Sequence, residues 1–446
     1  MANIHHLSHP VFSEPVFSEG RFQRDPNGFV VEHPSDSETF RQLGDLLKKK
    51  VVSFEKSRIA AGQVYSLEKA LGDRGPQVVQ QIATNKKIVF HSTGDSGASN
   101  VRKFGNEIRV ADQLAEDASL STGADRPAFL FHLGDLVYDF GEAQYYYDQF
   151  YEPFRNYPAP IFAIPGNHDS FLIPDTPADE SPLFTFARNF CATKLGITRE
   201  ARSLHRTAMT QPGVYFTLDA PFVRIVGLFS NALEDPGLIS SEGGNWPGVP
   251  DYQLEYLAAQ LEKVKSDNYK GAVLIAVHHP PFSYSAPPQD GGSGGNHSSS
   301  RSMLREIDKI CADKGVYPHA FLTAHAHNYQ RYTRTVKIAG SEYDVPFIVA
   351  GAGGHNVNPL VRSSRGGRSG GPRFGQDVSY MDVDPAVESG GLILEKFASR
   401  NYGYLRVEVD TQLLRIGFHE AVNEDFHQSR YDLVTVDLAT HTMVAN

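Results

Sequence analysis

Short apolar runs, bounded by polar or turn-forming residues, repeat along the chain from residue 86 onward. They have the length of buried strands and alternate with helical or loop-like segments, which is typical of an α/β layered domain. The runs span residues 88–90, 128–131, 161–164, 223–228, 272–277, 320–323 and 346–350. Near the end of the chain, alternating apolar and polar positions predict antiparallel strands at 404–410, 414–418 and 432–437. Apolar residues at helical spacing predict helices over 101–118 and 253–265.

The first 85 residues have a different pattern. A tandem copy of PVFSE at residues 10–19 is too short to be a structural repeat. Ser35 and Glu38 have capping-box spacing and predict a helix that begins there, and a second helical stretch covers 64–82. We therefore expect an N-terminal arm and helical extension over 1–85, followed by one main domain over 86–446.

Three long segments inside the main domain lack a regular pattern. They span residues 170–212, 283–300 and 355–392, and the last carries four arginines among many glycines. Structureless loops of this length in a compact domain are either functional lids or solvated insertions, and the sequence leaves both readings open.

Composition narrows the classes of function. The chain has 446 residues and a formal net charge of -10 at pH 7, which argues against a general nucleic-acid binder. Its two cysteines exclude a disulfide scaffold or a thiolate metal site. The N-terminus lacks the pattern of an export signal and no apolar run approaches the roughly 20 residues of a membrane span. We therefore expect no membrane partner and a cytoplasmic location, unless the sequence is a trimmed form of an exported protein.

Oxygen and imidazole donors follow directly after the apolar runs. They lie in Gly94-Asp-Ser-Gly97, Gly134-Asp-Leu-Val-Tyr138, Gly166-Asn-His-Asp169, His278-His-Pro280 and Ala324-His-Ala-His327. Ligands of sheets with parallel strands bind beyond the carboxyl ends of those strands, so these clusters should meet. Carboxylate, phenolate, amide and imidazole donors suit Fe, Mn or Zn. Seven donors are enough for two ions that share a bridging carboxylate and clamp a phosphoryl group.

The ordered string DxG, GDxxY, GNHD, HxP and HxH resembles the calcineurin-like metallophosphoesterase superfamily and, within it, the purple acid phosphatases. General members have a histidine two residues after the first aspartate, where this chain has Gly97, whereas Tyr138 stands where purple acid phosphatases have a metal-bound tyrosinate. The resemblance covers roughly residues 86–355. It implies two mixed β-sheets packed face to face and flanked by helices, so that 86–446 would be a catalytic domain.

The resemblance also implies a ligand set. Asp95, Asp135, Tyr138 and His327 would bind a first metal, which in that family is Fe(3+). Asp135, Asn167, His278 and His325 would bind a second, which is Fe(2+), Zn(2+) or Mn(2+). His278 is preferred over His279 because of the His-x-Pro spacing, and Ala324 departs from the usual glycine.

Further residues are expected around these metals. The resemblance makes His168 the imidazole that contacts the phosphate or the leaving oxygen, with Asp169 orienting it, and it makes His297, in the 283–300 loop, a candidate proton donor. His205, Arg206 and His355 are candidate substrate-binding residues, because arginine and histidine side chains can hold phosphate oxygens, although a surface position is the alternative for each.

The expected function is dinuclear metal-dependent hydrolysis of small phosphate esters, in which metal-bound hydroxide attacks phosphorus in line. An acid phosphatase-like phosphomonoesterase is favoured over a phosphodiesterase, which would use the same metals with a differently shaped pocket. The alternatives from another class are a non-hydrolytic di-iron protein and a partner-binding protein with incidental catalysis.

Overall fold

The computed structural model describes residues 41–42, 45, 49, 62–171, 181–230, 236–284, 299–360, 371–382, 384–422 and 429–445. Most of the helix predicted to begin near Ser35, and most of the predicted loop 283–300, lie outside these residues. No helix in the described ranges is both long enough and apolar enough to cross a bilayer.

The strands of the described residues form two sheets. The strands are β1 (Val64–Ser66), β2 (Lys87–Thr93), β3 (Leu130–His132), β4 (Ile161–Ala163), β5 (Phe216–Ala220), β6 (Val223–Leu228), β7 (Ala272–Val277), β8 (Ala320–Thr323), β9 (Tyr329–Ile338), β10 (Ser341–Ala350), β11 (Gln376–Asp377), β12 (Glu388–Ala398), β13 (Gly403–Asp410), β14 (Leu413–Glu420), β15 (Ser429–Asp437) and β16 (Met443–Val444). One sheet has nine strands in the order β1-β5-β6-β7-β8-β10-β9-β12-β11, and the other has seven in the order β16-β15-β14-β13-β2-β3-β4. Both are mixed: β6, β7, β8 and β10 run parallel, as do β2, β3 and β4, and most other pairs are antiparallel.

Helices flank the two sheets. They are α1 (Leu67–Ala70), α2 (Gly75–Asn85), α3 (Val101–Leu120), α4 (Pro182–Phe190), α5 (Tyr252–Ser266) and α6 (Arg301–Lys314), with short 3-10 turns at Gly72–Arg74, Gly123–Asp125, Ala143–Tyr145, Pro153–Asn156 and Ser379–Met381 and a π-helical turn at Tyr147–Tyr151. Helix α3 begins where the side chain of Asn100 accepts a hydrogen bond from the backbone N–H of Lys103, at 3.0 Å.

Apolar side chains from both sheets form one continuous core. Phe131 of β3 and Phe216 of β5 face each other across it, with ring centroids 6.0 Å apart. A Cβ at Gly227 of β6 would lie 2.9 Å from Ile164, which shows how closely the sheets approach. The predicted architecture, two mixed sheets packed face to face and flanked by helices, is confirmed.

The predicted boundary at residue 85 does not coincide with an edge of packed structure. Strand β1 pairs in parallel with β5 at the margin of the larger sheet, and Leu67 and Ala70 of α1 are fully buried in the core. Residues 64–66 are therefore a strand rather than part of a helix, and residues 64–85 belong to the main domain.

Strands β9 and β12 and helix α4 are among the elements that the sequence did not predict. Strand β9 carries Arg334, whose side chain is fully buried because it pairs with Asp308 and Asp382 at 2.8 Å each. Strand β12 begins in a glycine-rich stretch of the predicted loop 355–392, and α4 lies within the predicted loop 170–212. A paired charge in the core and glycines in a strand both break the alternation on which sequence reading depends.

The carboxyl ends of the parallel strands of both sheets meet at one end of the molecule. There the backbone N–H of Gly94, after β2, donates to the carbonyl of Ala350 at the end of β10, at 3.0 Å. The Nδ1 of His278, after β7, lies 2.8 Å from the carbonyl oxygen of Leu133, after β3. These bonds join the two sheets where the donor clusters lie.

At the other end, His319 links the larger sheet to the turn that follows β15. Its Nδ1 accepts a hydrogen bond from the backbone N–H of Val273 at 3.0 Å, so that Nε2 carries the proton and donates to the carbonyl of Leu438 at 3.1 Å. Burial lowers the pKa of His319 to about 4, although the backbone hydrogen bonds partly oppose this.

This histidine should make the fold sensitive to mild acid. Because the folded-state pKa of His319 lies below its ordinary value, its contribution to stability is present above about pH 6.5 and is lost as the pH falls toward about 4, up to about 3 kcal/mol. We expect His319→Asn, which keeps an acceptor for Val273, to be less stable at pH 7 but to show a shallower loss of stability between pH 7 and 5. Denaturant unfolding at several pH values measures this, with His205→Asn as the exposed control; parallel curves for His319→Asn and wild type would contradict it.

Candidate metal centre

The structure brings the predicted aspartate and histidine ligands together in two overlapping groups. Asp95, Asp135 and His327 form one and Asp135, His278 and His325 form the other, and within each group the ligand atoms lie within 4.8 Å of one another. Asp135 belongs to both groups. All five side chains are buried apart from His327, which is partly exposed.

Tyr138 completes the first group. Its hydroxyl oxygen lies 2.9 Å from Oδ2 of Asp135, 3.2 Å from Oδ1 of Asp95 and 3.2 Å from Nε2 of His327. Four donors from three segments, the loops after β2, β3 and β8, therefore converge on one small volume.

Asn167 completes the second group through its contact with His278. Nε2 of His278 lies 3.1 Å from Oδ1 of Asn167 and 3.3 Å from Oδ2 of Asp135. The bond to the carbonyl of Leu133 makes Nδ1 of His278 a donor, so in the neutral ring it is Nε2 that carries the lone pair and faces these oxygens. The neighbouring His279 instead pairs its Nδ1 with the hydroxyl of Ser230 at 3.0 Å, in agreement with the choice of His278 from the His-x-Pro spacing.

Four of the ligands have backbone conformations that non-glycine residues rarely adopt. The φ angles are +55° at Asp95, +57° at Asp135, +65° at His325 and +26° at His327. Such strain persists only where the surroundings enforce it, and it concentrates at functional sites. Here the carboxylate of Asp95 accepts from the backbone N–H of His325 at 2.7 Å, so one ligand holds the loop of another.

Asp169 holds the loops together rather than orienting His168 as predicted. Its carboxylate accepts hydrogen bonds of 2.9 to 3.1 Å from the backbone N–H groups of Gly166, Leu136 and Val137. Burial and the charge of Asp135 raise the pKa of Asp169 to about 7, against the lowering effect of these hydrogen bonds. Asp169 thus ties the loop carrying Asn167 to the loop carrying Asp135.

The electrostatics of the cluster favour a bound cation. Burial alone would lower the pKa of His278, but the charge of Asp135, its hydrogen bond and the charge of Asp95 raise it to about 9. Burial, followed by the charges of Asp135 and Asp95, holds the pKa of Tyr138 well above its usual range. Buried carboxylates require compensating charge. Nε2 of His278 lies close to oxygens of Asp135, Asn167 and, at 4.0 Å, Asp95, so the donor set fits metal ions at both groups.

His168 lies beside the first group. Its backbone N–H donates to Oδ1 of Asp135 at 3.0 Å, and its Nδ1 donates to the carbonyl of Asp139 at 2.6 Å. Its ring lies 4.1 Å from that of Tyr138, centroid to centroid. The bond to Asp139 fixes Nδ1 as the protonated nitrogen of the neutral ring, which makes Nε2 the atom that exchanges a proton.

The four other predicted residues differ in where they lie. His355 is buried against the Tyr138 ring, whereas His205 is exposed. Arg206 is buried, and its guanidinium donates to the carbonyls of Ala159, Phe154 and Tyr157, so it stabilises backbone and is not available to bind a substrate. His297 lies outside the described residues. Sequence reasoning missed Lys103, which contacts His355 from within the predicted helix 101–118 and carries no sequence signal of its own.

Glycines make room for the ligands. A Cβ at Gly97 would lie 2.9 Å from Cδ2 of Tyr138 and 2.5 Å from the carbonyl oxygen of Leu136. Glycine at position 97 is therefore what admits the tyrosine ring. A Cβ at Gly94 would lie 2.5 Å from Cβ of Ala324, so the methyl group that departs from the family's usual glycine packs against a glycine here.

The chain is similar to one known protein family and to several solved structures. The family model for calcineurin-like phosphoesterases matches residues 90–329, and no curated protein matches the sequence. Among solved structures, one similar protein is the purple acid phosphatase PPD1 from seeds of yellow lupin (Lupinus luteus), which is 14% identical to this chain. The match has a TM-score of 0.47 and covers 79% of this chain and 54% of the lupin protein, so this chain spans about half of that protein. GAP50, described as the anchor in the inner membrane complex of Plasmodium, is 12% identical, with a TM-score of 0.47 over 77% of this chain and 88% of that one. PhoD is 12% identical, with a TM-score of 0.44 over 80% and 72%.

Gly166 offers a direct test of the shared ligand. A Cβ at this position would overlap Oδ1 of Asp135, so Gly166→Ala must displace Asp135 or its own loop. We expect bound metal after dialysis to fall about tenfold or more, because the ligand common to both groups moves. Elemental analysis of the folded protein measures this, with Gly196→Ala as control, since a Cβ there meets nothing within 4 Å. Wild-type metal content in folded Gly166→Ala would refute the steric argument.

Proposed function

Because the chain belongs to the calcineurin-like phosphoesterase family, we propose that this metallophosphoesterase hydrolyses phosphate monoesters at a dinuclear metal site. The observation that carries the proposal is that two donor groups share one carboxylate, Asp135. Two ions held in this way, when bound, lower the pKa of water and neutralise charge on the phosphoryl oxygens. A site built to bind only one ion would not need a second set of buried donors.

We propose that the first group holds Fe(3+) and the second Fe(2+), Zn(2+) or Mn(2+). Tyr138 supports this difference, because its hydroxyl lies 2.9 Å from Asp135 and 3.2 Å from Asp95 and so brings a third oxygen donor to the first group. A phenol binds a metal as the phenolate, and a trivalent ion such as Fe(3+) favours that ionisation more than a divalent ion does. His278, His325 and Asn167 are neutral donors that suit a divalent ion at the second group.

His168 is proposed to assist the leaving group. Its Nδ1 is committed to the carbonyl of Asp139, which fixes the tautomer and the orientation of the ring. In the imidazolium form the second proton would lie on Nε2, and transfer of this proton to the departing alkoxide would leave the neutral ring with its proton on Nδ1. His297 remains a second candidate for this proton on sequence grounds alone.

The reaction is tested by assaying aryl phosphate mono- and diesters with wild type and Asp135→Asn. We expect hydrolysis of the monoester to exceed that of the diester, and loss of both activities together with bound metal in Asp135→Asn, because this variant removes the charge common to both groups. Asp313→Asn, at an exposed aspartate of α6, is the matched control. A faster diester reaction would favour a phosphodiesterase. If the wild type binds metal but hydrolyses neither ester, the non-hydrolytic di-iron alternative is favoured. If the wild type shows neither bound metal nor hydrolysis, the partner-binding alternative is favoured.

The role of His168 is tested with His168→Asn, whose amide can keep the bond to Asp139. We expect kcat for an alkyl phosphate to fall about 100-fold or more, because an alkoxide needs a proton to leave. Hydrolysis of 4-nitrophenyl phosphate should change much less, because 4-nitrophenolate leaves without one. Asp313→Asn, at an exposed position of α6, serves as the control, and an equal loss on both substrates would rule out proton donation by His168.

A further inference from the structure

An imidazole covers the ring of the tyrosine proposed as a metal ligand. The rings of His355 and Tyr138 are stacked, with centroids 3.4 Å apart and an angle of 21° between their planes. His355 is 6% exposed, and it also lies edge-on to His327, at 5.1 Å between ring centroids. It thus contacts two of the four side chains of the first group.

Hydrogen bonds fix the orientation of this imidazole. Its Nδ1 lies 2.6 Å from the carbonyl oxygen of Gly97, which can only accept, so Nδ1 carries a proton. Its Nε2 lies 2.7 Å from Nζ of Lys103, which can only donate as an ammonium group, so Nε2 accepts. Both ring nitrogens are occupied within the protein, which leaves no donor for a phosphate oxygen.

The chain builds this arrangement from two segments. Lys103 lies in the first turn of α3 and is also held by the hydroxyl of Ser99, at 3.0 Å from its Nζ. On the other segment, the backbone N–H of His355 donates to the carbonyl oxygen of Asp95 at 3.0 Å. The preceding Gly354 has a φ of +142°, and a Cβ there would lie 2.5 Å from Cα of Glu107 on α3. The turn carrying His355 is therefore pressed against the helix that carries Lys103.

We propose that Lys103 and His355 are positioning residues that lock the Tyr138 ring and stabilise negative charge on its oxygen through the stacked imidazole. The inference rests on the proposed function, since it assigns the pair a role toward a metal-bound tyrosinate. Lys103 supplies a positive charge outside the ligand set, and the imidazole between them is polarised toward it. Groups that contact ligands in this way adjust the properties of a metal site.

The test uses iron-loaded full-length protein and compares its visible absorption with its affinity for trivalent ions. Lys103→Met removes the charge and keeps the stem, His355→Phe keeps a ring and removes both hydrogen bonds, and His355→Leu removes the stack. Arg102→Met, at an exposed position one residue before Lys103, is the matched control, and Tyr138→Phe defines the spectrum without tyrosinate. Gallium(III) titrations, followed by the near-ultraviolet difference band of tyrosinate, report ring ionisation without iron.

We expect the tyrosinate-to-iron band to move to longer wavelength in Lys103→Met and His355→Phe, because the phenolate loses a stabilising charge. His355→Leu should show the same shift together with a loss of about 10- to 100-fold in affinity for Fe(3+) and gallium(III). Arg102→Met should match wild type. Thermal unfolding identifies variants that are not folded, and Lys103→Met, at a half-exposed side chain, decides the outcome if the His355 variants fail to fold.

Two different results would overturn the inference, and they can be distinguished by whether the wild type shows a tyrosinate band. If wild type shows the band while Lys103→Met and His355→Leu keep both its position and the metal affinity, the pair has no positioning role and the proposed function stands. If wild type shows no tyrosinate band with either ion, the tyrosinate metal site itself is wrong and the inference falls with it.

Discussion

Two buried carboxylates, Asp95 and Asp135, face a phenol and several imidazole lone pairs at the junction of the two sheets. Such a concentration of electron-rich atoms is unstable in a low-dielectric interior unless positive charge occupies it. The charges of Asp135 and Asp95 raise the pKa of His278 to about 9 against the effect of burial, and burial together with the same charges holds the pKa of Tyr138 above its usual range. The surrounding loops hold these groups together against their repulsion.

Backbone hydrogen bonds provide that holding force. The carboxylate of Asp169 gathers three N–H groups from two loops, and that of Asp95 binds the N–H of His325. Gly94 donates to Ala350 across the sheet junction. Because each of these bonds joins segments distant in sequence, the positive φ angles at the ligands are enforced by the fold rather than by local preference. The net charge of -10 is a sum over the whole chain, so it does not describe the local electrostatic field at the site.

The sequence predicted most of the strands that lead into the site, because their apolar runs are continuous and end in recognisable donors. The ligand cluster followed from that pattern and from the family resemblance, and the structure brings all seven residues together. The sequence could not predict β9, because the buried Arg334 breaks its apolar pattern. It also could not predict the burial of Arg206, which is explained by the three backbone carbonyls that accept hydrogen bonds from its guanidinium. Nor could it find Lys103, since a lysine in the first turn of an amphipathic helix is ordinary until its neighbour in space is known. The strand at 64–66 was missed because its three residues were assigned to the start of a helical stretch over 64–82.

The close fit between Gly97 and the ring of Tyr138 also bears on how such sites can change during evolution. A side chain at position 97 would strike the tyrosine, at 2.9 Å from Cδ2, and the carbonyl of Leu136, at 2.5 Å. In this backbone a histidine at position 97 therefore cannot stand beside Tyr138 unless the loop carrying Leu136 and Tyr138 shifts. Exchanging one ligand for the other in this chain thus requires coordinated changes, and the effects of substitutions at positions 97 and 138 should not be additive.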